Sequence, residues 1–242
     1  MRLELIHSEG ELHRMERPPR DELPDWRPPS DDPDAAAELL ARTTAVLDKL
    51  GIEYSLTDGS LLGHLREDGL IPGDGDIDLR VDRAVLSDDL FAALADAGVT
   101  TFKKVWFDGE LCNAAVHIGD IRLDLSGGQI RGKWMITHAI FREGYLTYRM
   151  PWLGREAARF LGVSTWRPTS TEAYVKHCYG DDWQVPAQEW DGLFSHRALV
   201  AVTGNSDTLT IGLRRWLRRR DRPALQDERK RRQRRRKRNA AE

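Results

Sequence analysis

The chain has 242 residues, of which 40% are hydrophobic and 31% charged. This is enough to bury one substantial core, and the charge is too mixed for general disorder. No stretch approaches the roughly 18–20 consecutive apolar residues of a membrane span, and the first residues lack the apolar centre of a signal peptide. We therefore expect a soluble, cytoplasmic protein in which Cys112 and Cys178 are buried thiols rather than disulfide or zinc ligands.

The net charge of −2 hides a strong asymmetry. Residues 214–242 carry 15 Lys and Arg against 4 Asp and Glu. Blocks of like charge cannot pack together, so we expect a disordered basic tail over 201–242. Such a tail is either a plain solvated extension or a contact for an anionic partner. The partner would be nucleic acid, or a membrane surface that would hold the protein at the inner face of the membrane.

The hydrophobic pattern predicts an α+β domain over residues 34–200. Six prolines in 17–33 block regular structure, so residues 1–33 are predicted to form an extended lead-in. Helices are predicted from Asp34 to Gly51 and over 60–67, 84–98, 154–162 and 168–180, the last with Thr169 or Ser170 as cap and Glu172 in its first turn. Strands are predicted over 52–57, 76–82, 100–107, 111–118 and 120–127, with a further hairpin formed by 136–141 and 145–150.

A cluster of aspartates is the most informative feature of the chain. Asp76 and Asp78 alternate on a predicted strand, so their carboxylates point to the same face, with Asp74 just before them. Neighbouring carboxylates repel each other unless a cation neutralises them, and hard oxygen ligands favour Mg²⁺ or Mn²⁺. An EF-hand calcium loop is disfavoured because Leu79 and Val85 stand where that loop needs Gly and Glu.

Two further features complete a candidate site. The Gly59-Ser60 turn at the start of a short helix offers backbone N–H groups and a hydroxyl to phosphate oxygens. Asp124 lies between Leu123 and Leu125 on a later strand, so it projects from the face opposite those leucines. It is predicted to be a third metal ligand or the base that activates an acceptor hydroxyl. Together these residues predict metal-dependent transfer of a phosphoryl-linked group.

The string GSLLGHLREDGLIPGDGDIDL, residues 59–79, resembles the signature of the LicD/fukutin family, a branch of the nucleotidyltransferase fold. The segment EAYVKHCYGDDWQVP, residues 172–186, is similar to the motif with which such domains often end. The resemblance spans roughly residues 35–190. It departs from the family pattern at residues 73–76, which read Gly-Asp-Gly-Asp where family members commonly have Trp-Asp-Asp-Asp.

The resemblance implies a nucleotidyltransferase-like mixed β-sheet flanked by helices, with a C-terminal helical segment. It also implies transfer of a phosphoalcohol, such as phosphocholine or ribitol phosphate, from a CDP-linked donor to a hydroxyl of a cell-envelope glycan. The matching residues are Gly59 and Ser60 in the turn, Arg66 as the helix arginine that would hold donor phosphates, Asp74, Asp76 and Asp78 in the acidic cluster, and Asp124 as the later strand aspartate.

Two other functions stay open at this point. An enzyme with the same site could move a nucleoside monophosphate from a nucleoside triphosphate to a small hydroxylated acceptor. Such an enzyme releases pyrophosphate, whereas phosphoalcohol transfer releases CMP. A protein of another class would be a non-catalytic scaffold that binds anionic partners through its basic tail.

Overall fold

Twelve strands and four helices make up the described part of the computed structural model, residues 2–8, 11–141, 144–186 and 196–204. The strands are β1 Arg2–Ser8, β2 Glu11–Arg17, β3 Tyr54–Leu56, β4 Ile77–Asp82, β5 Thr100–Phe107, β6 Glu110–Ile118, β7 Ile121–Arg131, β8 Trp134–Phe141, β9 Gly144–Pro151, β10 Arg155–Phe160, β11 Val163–Pro168 and β12 Leu199–Gly204. The helices are α1 Pro33–Lys49, α2 Asp58–Arg66, α3 Asp88–Asp96 and α4 Thr171–Tyr179. None of these helices is long and apolar enough to cross a membrane.

Ten of the strands form one curled, mostly antiparallel sheet. Its main path runs β1-β2-β5-β6-β7-β8-β9-β12, and β10 and β11 form a separate two-stranded sheet. Residues 123–128 of β7 also pair with β4, and β4 pairs with β3. The β4–β7 pair is parallel, with Asp78 opposite Asp124. This mixed α+β architecture agrees with the predicted fold class, and the parallel pair places two candidate site residues side by side.

Strand β4 has one apolar and one polar face. Ile77, Leu79 and Val81 are fully buried in the main hydrophobic core. Successive side chains of a strand point to opposite faces, so Asp78 and Arg80 lie on the other side of the sheet. Helix α1 packs against β6, β7 and α3. The core therefore fixes β4 from one face and leaves its polar residues available to build a site on the other.

Most predicted elements are confirmed. Helix α1 is capped by Asp32, whose Oδ1 accepts a hydrogen bond from the Ala35 N–H, and it is followed by Gly51 at φ 67°. The strand preceding α2, the three strands β5–β7 and the β8–β9 hairpin lie where the pattern predicts them. Helix α3 is shorter than predicted because Ser87 caps it and the preceding residues form a 3-10 turn. Both cysteines are buried, as expected.

The helix predicted over 154–162 is wrong. Residues Arg155–Phe160 instead form β10, which pairs in antiparallel fashion with β11. The two-residue turn Leu161-Gly162 has φ 52° and 77°, the left-handed values typical of a tight hairpin. The alanines and charged residues of β10 favour a helix locally. The β-prone partner Val163–Pro168 overrides that preference, because hairpin pairing satisfies the backbone of both segments.

The next helix, α4, is confirmed with the predicted Ser170 at its cap position, but the expected capping hydrogen bond is not made. Ser170 occupies the cap position at φ 57° and makes no capping hydrogen bond through its side chain. The Thr171 hydroxyl instead donates to the Pro168 carbonyl at 2.6 Å. Glu172 lies in the first turn, as predicted. The start of α4 is therefore held by a contact to the preceding strand.

The N-terminal segment contributes to the main sheet, which the predicted lead-in did not include. Strands β1 and β2 form a hairpin, and β2 pairs with β5 through Arg14–Glu16. The proline-rich part that follows is irregular apart from short 3-10 turns at Arg20–Glu22 and Pro29–Asp31, in line with the prediction. At the other end of the chain, β12 pairs with β9, and the remainder of the predicted basic tail, 205–242, lies outside the described residues.

The contact between α2 and the following loop requires a glycine. A Cβ atom on Gly63 would lie 2.4 Å from the carbonyl oxygen of Gly69 and 3.1 Å from the backbone nitrogen of Ile71. We expect Gly63→Ala to lower the free energy of unfolding by about 1–3 kcal/mol, because backbone atoms must shift to admit the methyl group. Urea denaturation measures this.

Gly69→Ala is the matched control, since its Cβ would meet nothing closer than the Glu67 carbonyl at 3.8 Å. Equal unfolding midpoints for the two variants would contradict the close approach of α2 to the loop.

Candidate active site

Four aspartates converge at the start of β4. Asp78 and Asp124 are directly opposite each other on parallel neighbouring strands. Asp76 stands one residue before β4 rather than on the strand as predicted, and Asp74 lies in the loop between α2 and β4. The structure therefore brings together the four carboxylates that the sequence singled out as candidate metal ligands.

The N-terminal end of α2 is fastened to this cluster. The Asp78 N–H donates to the Ser60 hydroxyl at 2.8 Å, and the Ser60 N–H approaches Asp78 Oδ2 at 3.4 Å. Ser60 is only 2% exposed, so its described contacts position Asp78. A role for Gly59 and Ser60 in binding phosphate stays a prediction.

The turn requires a glycine at position 59 because two carboxylates lie directly against its backbone. A Cβ atom there would lie 2.0 Å from Asp74 Oδ2 and 3.2 Å from Asp78 Oδ2. The backbone of the turn therefore passes directly against two carboxylates, and only a residue without a side chain leaves them room.

Burial and mutual repulsion both act on the cluster. Burial is the main cause that raises the pKa of Asp76 to about 6, and the negative charges of Asp124 and Asp74 raise it further. Burial also raises the pKa of Asp78 well above its usual range, with added repulsion from Asp76. The pKa of Asp74 is raised by burial as well. The carboxylates thus form a site in which added positive charge is favourable.

Two basic side chains already face the cluster. Arg122 donates from Nε to the Gly75 carbonyl at 2.9 Å, and its Nη2 lies 2.8 Å from Asp76 Oδ2. Lys103 Nζ lies 3.3 Å from Asp124 Oδ2. Reasoning from the sequence assigned neither Lys103 nor Arg122 to the site. Their positions depend on strand register, which no local sequence pattern reveals.

The donor set fits a hard divalent cation in chemical type, since it consists of carboxylate oxygens. The Oδ1 atom of Asp124 is buried and makes no hydrogen bond, which leaves an oxygen ready for a ligand. Among the described residues, however, no three His, Cys, Asp or Glu side chains are arranged as a ready set of metal ligands. Lys103 and Arg122 hold two of the carboxylates instead. Binding of Mg²⁺ or Mn²⁺ therefore stays a prediction that requires small side-chain shifts.

A second ionic group, which the sequence did not indicate, lies beside the acidic cluster. Arg80 is 6% exposed and donates to Asp58 Oδ2 at 2.6 Å and to the Thr57 hydroxyl at 3.1 Å. His196 and Tyr179 approach Asp58 Oδ1 at 3.7 and 3.5 Å. Burial alone would raise the pKa of Asp58, but attraction to Arg80 and the contact with His196 outweigh it and lower the pKa to about 2.

The hydrogen bond that Arg66 makes is not to the carboxylate cluster. Its Nη2 donates to the backbone carbonyl of Trp183, which fastens the end of α2 to the segment after α4. Six residues of helix separate it from Ser60, a rise of about 9 Å along the axis. Trp183 is 9% exposed and belongs to the main hydrophobic core, so it holds this segment on the core. Donor-phosphate binding by Arg66 stays a prediction.

The α+β fold and the carboxylates on a parallel strand pair are consistent with a nucleotidyltransferase-type domain. Residues 51–148 match the family described as LicD/FKTN/FKRP, nucleotidyltransferase domain. The match spans about two fifths of the chain, and this part is similar to the nucleotidyltransferase domain of that family.

Similar proteins include ribitol-5-phosphate transferase FKTN from three mammals. The proteins of Macaca fascicularis and Homo sapiens are 27% identical over 170 residues, which cover 65% of this chain and 35% of each relative. The Mus musculus protein is 27% identical over 171 residues, covering 64% and 34%. The chain therefore spans about a third of the length of the curated relatives it matches.

A solved structure, ANT(2")-Ia in complex with adenylyl-2"-tobramycin, aligns with a TM-score of 0.41 at 18% identity. The alignment covers 64% of this chain and 80% of that one.

The ion pair between Asp58 and the buried Arg80 predicts a stability effect. Asp58 adopts φ 44°, a conformation that Asn also tolerates, so Asp58→Asn removes the charge without forcing the backbone. We expect a loss of unfolding free energy on the order of 3 kcal/mol, because Arg80 is left buried without its counter-ion. Chemical denaturation at neutral pH measures this loss.

Asp120→Asn is the control, since it breaks an exposed ion pair with Arg27 and should change stability little. If both variants lose the same small amount, the Asp58–Arg80 pair does not stabilise the fold.

Proposed function

We propose that this protein transfers a phosphoalcohol resembling ribitol phosphate from a CDP-linked donor to a hydroxyl of a glycan, in a reaction that depends on Mg²⁺ or Mn²⁺. The observation that carries the proposal is the convergence of Asp74, Asp76, Asp78 and Asp124 at the start of β4, where it pairs with β7. The match of residues 51–148 to the LicD/FKTN/FKRP nucleotidyltransferase domain supports the reaction class, and the ribitol-5-phosphate transferase activity of the FKTN relatives suggests the alcohol.

In this proposal Asp76 and Asp78 hold the cation, with Asp74 beside them, and Asp124 is a third ligand or the base for the acceptor hydroxyl. When bound, the ion would offset the negative charge of the transferred phosphoryl group. Asp124 suits either role because its Oδ1 is buried without a hydrogen-bond partner. The start of α2 adds its N-terminal dipole next to Asp78, which favours negative charge at this point.

The location of the protein follows the same proposal. A cytoplasmic transferase that acts on envelope glycans works at the inner face of the membrane, and the basic residues of 214–242 suit such a surface. Flotation with anionic and neutral vesicles tests this attachment.

The first test compares donors and one aspartate substitution. Isothermal titration of CDP-ribitol, CDP-choline and CTP with and without Mg²⁺ should show Mg²⁺-dependent binding of a CDP-alcohol. Product analysis should then show release of CMP. Asp78→Asn should reduce Mg²⁺-dependent binding and CMP release by about a hundredfold or more, because a direct ligand contributes at least as much as the residues that orient ligands.

Asp82→Asn is the matched control on the same strand, since Asp82 caps the turn after β4 through the Ala84 N–H. Release of pyrophosphate from CTP would instead support nucleoside monophosphate transfer. Absence of metal-dependent binding to any nucleotide would support a scaffold and refute the proposed activity.

A substitution at Gly59 tests the geometry of the cluster. The added methyl group of Gly59→Ala meets the flexible end of Asp74 rather than backbone, so the fold should persist while the carboxylate is displaced. We expect Mg²⁺-dependent binding of CDP-ribitol to weaken by about tenfold or more. The thermal unfolding midpoint should change little, and wild-type affinity would show that Asp74 is not needed.

A further inference from the structure

Lys103 stands in line with the two central carboxylates. The strand register places Asp78 opposite Asp124, Asp124 opposite Ala115, and Ala115 opposite Lys103. These four residues form one row across four strands. Adjacent strands are about 4.8 Å apart, so the lysine must extend over β6 to reach Asp124.

The small residue between them makes this reach feasible. Ala115 is fully buried and projects only a methyl group into the row. Lys103 and Asp124 each keep 26% of their side-chain exposure, and Nζ lies 3.3 Å from Asp124 Oδ2. The ammonium group is therefore partly shielded from water, and its position is fixed on the proposed site rather than in solvent.

The position of the ammonium group limits the number of metal ions. In two-metal sites the ions are about 3.5–4 Å apart and share the carboxylates between them. Here a second ion near Asp124 would have to occupy the space next to Oδ2 that Lys103 already fills. A lysine ammonium is a compact positive charge, so it can neutralise a carboxylate in the way that a small cation does.

The balance of charge also indicates a single divalent metal ion. Asp74, Asp76, Asp78 and Asp124 face two cationic side chains, Arg122 and Lys103. The negative charge of two carboxylates is left uncompensated, and one divalent cation would balance it.

We infer that Lys103 takes the place of a second metal ion, so that the site binds one divalent cation per chain. This inference rests on the proposed function, since it concerns the same carboxylates. Arg122 also fixes the loop in front of β4, through its hydrogen bond to the Gly75 carbonyl and its ion pair with Asp76.

Mn²⁺ binding followed by electron paramagnetic resonance of the free ion tests the inference on the full chain without any turnover. The wild-type protein should bind one Mn²⁺. Lys103→Met removes the charge at similar length and should bind two, because Asp124 then has both oxygens free. Lys103→Arg keeps the charge and should bind one.

Lys104→Met is the matched control. Lys104 lies on the neighbouring position of β5, with Nζ 3.1 Å from Asp88 and 4.2 Å from the centre of the Phe91 ring, so it faces α3. This variant should bind one Mn²⁺, and circular dichroism should show all variants folded.

Two ions on the wild-type chain, or one ion with unchanged affinity on Lys103→Met, would overturn the inference while leaving the proposed function intact. If the wild-type chain binds no Mn²⁺ at all, the proposed function fails together with it.

Discussion

Repulsion among four carboxylates is the constraint around which this region of the protein is arranged. Asp78 and Asp124 are held opposite each other because β4 and β7 pair in parallel, and the core side chains of both strands fix that pairing. The chain cannot relieve the repulsion by moving the strands apart without exposing the core. Relief must come from added positive charge, which Lys103 and Arg122 supply in part.

The neighbouring Asp58–Arg80 pair shows why the cluster stays negative. Arg80 is two residues from Asp78 on the same face of β4, and its charge would otherwise neutralise the site. Its guanidinium donates to Asp58 and Thr57 instead. The Thr57 hydroxyl in turn lies 3.2 Å from the Tyr174 hydroxyl of α4. Because the arginine has its own counter-ion, the four aspartates remain available for another cation.

The sequence was sufficient to predict the orientation of the candidate site aspartates, because that orientation depends on the local alternation of polar and apolar residues. Alternation around Asp76 and Asp78, and the leucines on either side of Asp124, predicted that these side chains leave the core face, and they do. Contacts between residues distant in sequence could not be predicted from the local pattern. Lys103 reaches Asp124 only because of the register of three strands, and Arg66 contacts Trp183 far along the chain. The β10–β11 hairpin was missed because residues 155–160 favour a helix when they are considered alone. Their structure is decided by pairing with β11.

The loop that carries Asp74 and Asp76 is held from three directions by protein groups. Gly63 lets the loop backbone pack on α2, and Arg122 binds the carbonyl of Gly75. From the proline-rich N-terminal segment, the Ser30 hydroxyl accepts a hydrogen bond from the Gly73 N–H at 3.1 Å.

That proline-rich segment is itself fixed to the strands beside the cluster. The centre of the Trp26 ring lies 4.7 Å from that of Phe102 and 5.4 Å from that of His117. Arg27 pairs with Asp120 in the β6–β7 turn. His117 is in turn the cross-strand neighbour of Arg122. Segments distant in sequence thus fix the loop before any ligand arrives, so an incoming cation would reorient side chains rather than order a backbone.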